Sequence, residues 1–239
     1  MKKYIIATTA LLVVATSAFS QGLVNFSAGL SAATRMNTNS VVGGPSTGLT
    51  GTTPGLYYYA LFASVNQTTI NGSSAAISGL SGNYVFNNLG TGVPSTGWEL
   101  VGIGTNTVNA GRMWSITQGN ASGNQVPVNA DGSLTVQGIA GAAAANMVAV
   151  GWYSPGIGTD LASLQTWYAG GAFNGWVGQS AVGNVILGDN GLVFTPNPFG
   201  GGTGQFGGIL MGLTVVPEPT TLALVALGSA SLLLFRRKK

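Results

Sequence analysis

Few groups in this sequence could do chemistry. Between residues 21 and 216 the charged side chains are Glu99, Asp131, Asp160, Asp189, Arg35 and Arg112, and the whole chain has no His and no Cys. Without His, the commonest general base and the commonest metal ligand are both missing. Without Cys there is no thiolate nucleophile and no disulfide. A serine nucleophile would lack its usual base, and no G-x-S-x-G turn occurs. One acid–base option survives the composition. Two carboxylates facing each other about 5–9.5 Å apart could hydrolyse a glycosidic bond. Glu99 with one aspartate could form such a pair only through the fold, because nothing local joins them. Each aspartate also has a simpler reading: Asp131-Gly132 and Asp189-Asn190-Gly191 suit turns, and Asp160 suits a helix N-cap. The three lie at equal spacing, but their flanks do not align, so the spacing is not a repeat. One carboxylate per turn is too few for calcium, and no phosphate-binding glycine loop is present. The expectation is therefore no catalytic residue, no cofactor and no metal, with a carboxylate-dependent glycosidase as the least favoured alternative.

Aromatic rings are the other chemical resource. Five Trp and seven Tyr are available to pack or to stack on flat ligands. Trp167, Tyr168, Phe173 and Trp176 stand among glycines, which makes them candidates to stack on sugar faces. The alternative for all these rings is burial in a core. Extracellular polysaccharide is the ligand class this reading implies. Nucleic acid is not expected. Six of the eight cations lie at the two chain ends, and residues 21–216 carry a net charge of about −2 with no basic patch.

The end of the chain has its own order. Pro217-Glu218-Pro219 precedes an uncharged run at residues 220–235, and Arg236, Arg237, Lys238 and Lys239 close it. As a helix, that run would reach roughly 24–27 Å, enough for a thin hydrocarbon core. Gly228, Ser229, Ala230 and Ser231 put small residues near its middle, where another helix could approach. The terminal cations favour the cytoplasmic side. Pro219 suits a first helical turn, and Glu218 lies where the helix dipole is positive.

These three parts in this order resemble the PEP-CTERM sorting signal of Gram-negative bacteria. The resemblance covers residues 217–239. It implies that an exosortase, a membrane-embedded cysteine protease, is the processing partner and cuts near Pro217-Glu218-Pro219. It also implies transient anchoring in the inner membrane through 220–235, then transfer to the outer surface or the extracellular matrix. A plain membrane anchor is the alternative. The other end agrees with export. Lys2 and Lys3, the apolar stretch from Ile5 to Ala15 and Ala18-Phe19-Ser20 read as a signal peptide over 1–20, leaving Gln21 as the mature N-terminus.

The organisation expected is thus a signal peptide at 1–20, an exported β-rich domain at 21–216 and a sorting signal at 217–239. Glycine is abundant, at 39 residues, and only 5% of residues are charged. Such a surface must be covered by Asn, Ser, Thr, Gln and Gly. Residues 56–63 (LYYYALFA) form the strongest strand pattern, apolar on both faces. Further strands are predicted near 22–27, 83–86, 98–103, 112–116, 134–136, 148–153, 175–182, 185–187, 192–194 and 209–216. A short helix capped by Asp160 is predicted near 160–167. Residues 140–147 have a helix-forming composition. Many short strands between turn signals indicate an all-β class, an antiparallel β-sandwich or barrel-like domain.

Overall fold

The computed structural model describes residues 21–39, 48–90, 97–120, 124–171, 175–189 and 195–214. The expected signal peptide, Phe173, the strand expected at 192–194 and the tail from 217 onward lie outside them. The described residues form fourteen strands. They are β1 (Gln21–Val24), β2 (Ser27–Ala28), β3 (Asn37–Asn39), β4 (Gly48–Leu49), β5 (Tyr57–Ser64), β6 (Ile77–Ser78), β7 (Glu99–Asn106), β8 (Met113–Gly119), β9 (Gln125–Pro127), β10 (Leu134–Ala140), β11 (Ala144–Tyr153), β12 (Gly175–Gln179), β13 (Gly183–Ile186) and β14 (Leu210–Thr214). One α-helix, α1 (Leu161–Ala169), joins β11 to β12.

The protein is all-β, as its sequence predicts. Twelve strands form one sheet, with the path β2-β8-β7-β5-β11-β12-β14-β3-β4. Every pairing in it is antiparallel except that of β14 with β3. The sheet curls until its far end meets the β7–β8 turn. Met36 N donates to Gly111 O (2.9 Å), and Gly111 N donates to Thr50 O (3.0 Å). A small second sheet, β1 with β10, packs across β7 and β8.

β5 and β11 lie at the centre. They pair from Tyr57↔Tyr153 to Ser64↔Asn146 without a slip. Because side chains alternate along a strand, the pair feeds two cores. Tyr59, Leu61, Met147 and Ala149 face the interior with Val24, Phe26, Leu134 and Met211. Ala60, Phe62, Val148, Val150 and Trp152 face the other side, where Tyr84, Phe86, Trp98 and Leu164 cover them. The free edge of β11 is shared by two strands. β13 takes its first half and β12 its second. At the break the Ser180 hydroxyl accepts from Ala149 N (2.9 Å), so a side chain continues the ladder. Glycine is required where backbones press together. A Cβ on Gly178 would lie 2.1 Å from Leu210 O, and one on Gly151 would lie 2.9 Å from the Tyr59 ring.

Two local predictions are corrected. Residues 83–86 form no strand; a 3-10 turn runs from Val85 to Asn87. The Val85 N–H donates to Gln179 Oε1 (2.7 Å) instead of to a strand partner. Tyr84 and Phe86 stack at 5.0 Å and cap the second core. Residues 144–147 of the alanine-rich stretch are strand, not helix. All four pair with β13, Asn146 and Met147 pair with β5 as well, and that pairing together with the burial of Ala145 and Met147 overrides alanine's helix propensity.

Asn106 fixes the loop before β5. It is fully buried. Its Oδ1 accepts from Leu56 N (3.2 Å) and Tyr57 N (3.0 Å), and its Nδ2 donates to Gly51 O (2.9 Å) and Thr53 O (2.7 Å). Asn106→Leu would remove the side-chain partner of four part-buried backbone groups. It is expected to cost about 3 kcal/mol or more, read as a lower urea midpoint with an unchanged slope.

Candidate functional site

The carboxylates serve separate structural tasks. Asp160 is the N-cap of α1, where it accepts from Ser163 N (2.8 Å) and Ser163 Oγ (3.0 Å). Asp131 closes a turn by accepting from Ser133 N (2.9 Å) and Ser133 Oγ (2.6 Å). Ser133 holds the Asp131 carboxyl below the usual range, chiefly through its hydroxyl, and Ser163 does the same for Asp160, chiefly through its N–H. Glu99 differs. It begins β7, half-buried, and its Oε1 is enclosed with no hydrogen-bond partner. Burial pushes its carboxyl above the usual range.

Strand order separates Glu99 from Asp160. Glu99 pairs with Ala63, which pairs with Met147. Asp160 follows the other end of β11, at Tyr153. Six residues of extended strand span about 20 Å, beyond the reach of a glycosidase pair. Among the described residues no cluster of three or more His, Cys, Asp or Glu could hold a metal.

The ring candidates do not form one row. Trp167 and Tyr168 sit on α1 and pack against the second core. Tyr168 meets Tyr84 and Phe86 edge-on at 5.6 and 5.2 Å, and its hydroxyl donates to Ser81 O. Trp176 lies in β12 and packs against the interior core, on the opposite face of the sheet. The pleat is the reason: in β12, Val177 joins the second core, so its neighbour Trp176 points the other way.

Another aromatic row exists that the sequence did not suggest. Tyr57, Tyr153 and Trp176 are neighbours on β5, β11 and β12, with ring centroids 5.1 and 5.2 Å apart. All three are half-buried. Their rings meet at 53° and 85°, so they share no flat plane. Only register places them together, and no spacing in the chain reveals it. Two open clefts lie on the described surface. One of about 440 Å³ lies beside Gln21, Asn129, Asp131 and Thr135. The other, of about 430 Å³, is lined by Gln67, Asn71, Asn87, Asn88 and Trp98. Asn88 Nδ2 is enclosed without a partner.

The structure also shows where the tail leaves the body. β14 ends at Thr214, whose hydroxyl donates to Gly175 O (3.0 Å). The family model described as the PEP-CTERM protein-sorting motif matches residues 215–238, starting at the next residue. The chain is a PEP-CTERM domain-containing protein. This motif directs export and exosortase sorting. No curated protein and no solved structure matches the chain. Pro217, Glu218, Pro219 and the Arg236–Lys239 cluster of this PEP-CTERM protein fall within or beside the matched span, outside the described residues. Among the described residues no helix is long and apolar enough to cross a membrane.

The pH response of the body follows from these carboxylates. Glu99 binds its proton more tightly when folded. Its contribution is full below the unfolded value, near 4.3, and is lost as pH rises through the higher folded value. Asp131 and Asp160 act in the opposite sense. Their contributions are present above about 3.9 and are lost as pH falls through their lowered folded values. Glu99→Gln should therefore remove the stability decline above pH ~4.3, and Asp160→Asn should weaken the decline below it. Urea midpoints between pH 3 and 8 check both.

Proposed function

We propose that this is a non-catalytic exported protein of the cell surface or extracellular matrix. It is delivered through its PEP-CTERM tail, and an exosortase cuts that tail near Pro217-Glu218-Pro219. The sorting motif at residues 215–238 carries the reading. A second feature supports it. The body has few charges and no disulfide, and it is covered largely by neutral polar side chains, which suits a hydrated, neutral polymer matrix. Before processing, residues 220–235 hold the chain in the inner membrane with Arg236, Arg237, Lys238 and Lys239 on the cytoplasmic side. The domain at 21–216 stands outside.

Peptide mass spectrometry of envelope and medium tests this. The expected mature chain begins at Gln21 and ends near Pro217 to Pro219, with tail peptides absent from the medium. Replacing Pro217, Glu218 and Pro219 by alanine should trap the uncut chain in the inner membrane. Intact tail peptides in released wild-type protein would overturn the reading.

The second reading is a carbohydrate-binding module for exopolysaccharide. Two observations favour it: the cross-strand row Tyr57, Tyr153 and Trp176, and the amide-lined cleft at Asn71, Asn87 and Asn88. A glycan array with the processed chain should then give binding that Trp176→Ala or Asn88→Ala weakens by about tenfold, one hydrogen bond or ring contact. Equal binding by both variants and the parent would leave the structural reading alone.

A further inference from the structure

β14 ends where the tail begins, so the tail decides which part of the body stays near the membrane while it is anchored. Thr214 is level with Gly175 at the start of β12. Its hydroxyl accepts from Gly175 N (3.3 Å) and donates to Gly175 O (3.0 Å). Register carries this end across the sheet. Leu213 pairs with Trp176, Val177 pairs with Trp152, and Tyr153 at the end of β11 pairs with Tyr57 at the start of β5. From Thr214 to residue 220, where the apolar run starts, is six residue steps, at most about 22 Å when extended. Thr214 is therefore held within about 22 Å of the hydrocarbon core for as long as the tail is anchored.

Aromatic rings surround that strand end. On the interior face Tyr57, Tyr153 and Trp176 stand side by side, with centroids 5.1 and 5.2 Å apart. Leu213 continues their row onto β14, on the same side as Met211. On the outer face a Cβ on Gly175 would lie 3.1 Å from Trp167 Cζ2. Two indoles therefore bracket the point where the tail leaves, one on each side of the sheet. Leu80 adds exposed apolar surface: it is 46% exposed, and a Cβ on its neighbour Gly79 would lie 3.5 Å from Leu213 O. The four rings and Leu213 are half-buried. No charged side chain is among these residues. Arg35 lies against Gly208, before the other end of β14. Glu99 pairs with Ala63 toward the far end of β5, and Asp160 caps the end of α1 away from Trp167.

We infer that this end is an aromatic collar that settles into the lipid headgroup layer while the tail is anchored, through Tyr57, Tyr153, Trp167, Trp176, Leu80 and Leu213. The contact presupposes the anchored stage of the proposed function and ends when the tail is cut. Tyr and Trp favour the membrane–water boundary because each joins an apolar ring to a polar O–H or N–H. The lack of charge suits the same place, because no ionised group has to leave water. Half-buried rings offer too little area to hold the body on a membrane alone, so the tether matters. It supplies the high local concentration that lets a weak surface engage. The collar would keep Val215 to Pro219 at the membrane surface, where a membrane-embedded protease works.

The absence of cysteine makes the test direct, because one introduced Cys carries one label. The chain with its tail is reconstituted into phosphatidylcholine vesicles with and without phosphatidylglycerol. An environment-sensitive NBD dye is placed at Leu80→Cys, at Ala169→Cys as a second site, or at Ile186→Cys. Ala169 is exposed and ends α1, two residues beyond Trp167. Ile186 is 59% exposed and pairs with Ala144 at the opposite end of β11 from Tyr153. The expected result is a blue-shifted dye quenched by brominated lipid at Leu80 and Ala169, but not at Ile186. The effect should be equal in both lipids, because no cation drives the contact. A shift that needs phosphatidylglycerol, or equal quenching at Ile186, overturns the collar. So does a blue shift without quenching by brominated lipid, which would mean that protein covers the rings. If the chain floats with vesicles but all three dyes report water, the collar is wrong and the anchor stands. If the chain does not float with vesicles, the anchored stage fails and the collar falls with it.

Discussion

The structure depends on one constraint: β5 and β11 must be covered on both faces at once. Their odd and even residues are equally apolar, so neither face can be left to water. One face is satisfied by curling the sheet around an interior and laying β1 and β10 across it. The other is satisfied by residues 65–90, by Trp98 and by α1, which bring Tyr84, Phe86, Trp98 and Leu164 down onto the strands. Almost every irregular segment of the body can be understood as a cover for one side of this pair.

The covers are held by amides where other exported proteins use disulfides or ion pairs. Asn106 ties the 51–57 loop to β7. Gln118 accepts from Thr135 N (2.6 Å) and donates to Pro127 O (3.0 Å), joining β8 to β10. Gln179 holds the turn at Val85, and Gln205 accepts from Gly202 N (2.8 Å) and donates to Asn197 O (2.8 Å). An amide carries both donors and an acceptor and does not titrate. A body built this way has few groups whose charge changes with pH, and it does not depend on the redox state outside the cell. Its glycines serve the same economy of space, because β12 can lie against β14 only where no Cβ intervenes.

Function divides along the chain in the same way. The tail decides delivery, and its information is local: a short motif, an apolar run and a basic end. The body contributes geometry. It sends β14 out to Thr214, level with Gly175 at the start of β12, and the tail leaves the sheet there.

What the sequence determined by itself was whatever depends on order and local chemistry. The sorting signal, the all-β class, the two-faced strand at 57–64 and the Asp160 cap were all legible, because each is written in adjacent residues. Tertiary structure alone decided the rest. The alanine-rich start of β11 became strand because pairing with β13, joined by β5 from Asn146 onward, outweighs its helix propensity. The 83–86 stretch gave up pairing because its rings were needed as a cap. Trp176 was parted from Trp167 and Tyr168 by the pleat, then joined to Tyr57 and Tyr153 by register. Arg35 and Arg112 met at Gly111 because the sheet curls back on its own hairpin. Register and closure join residues far apart in the chain, and no local pattern encodes such a meeting.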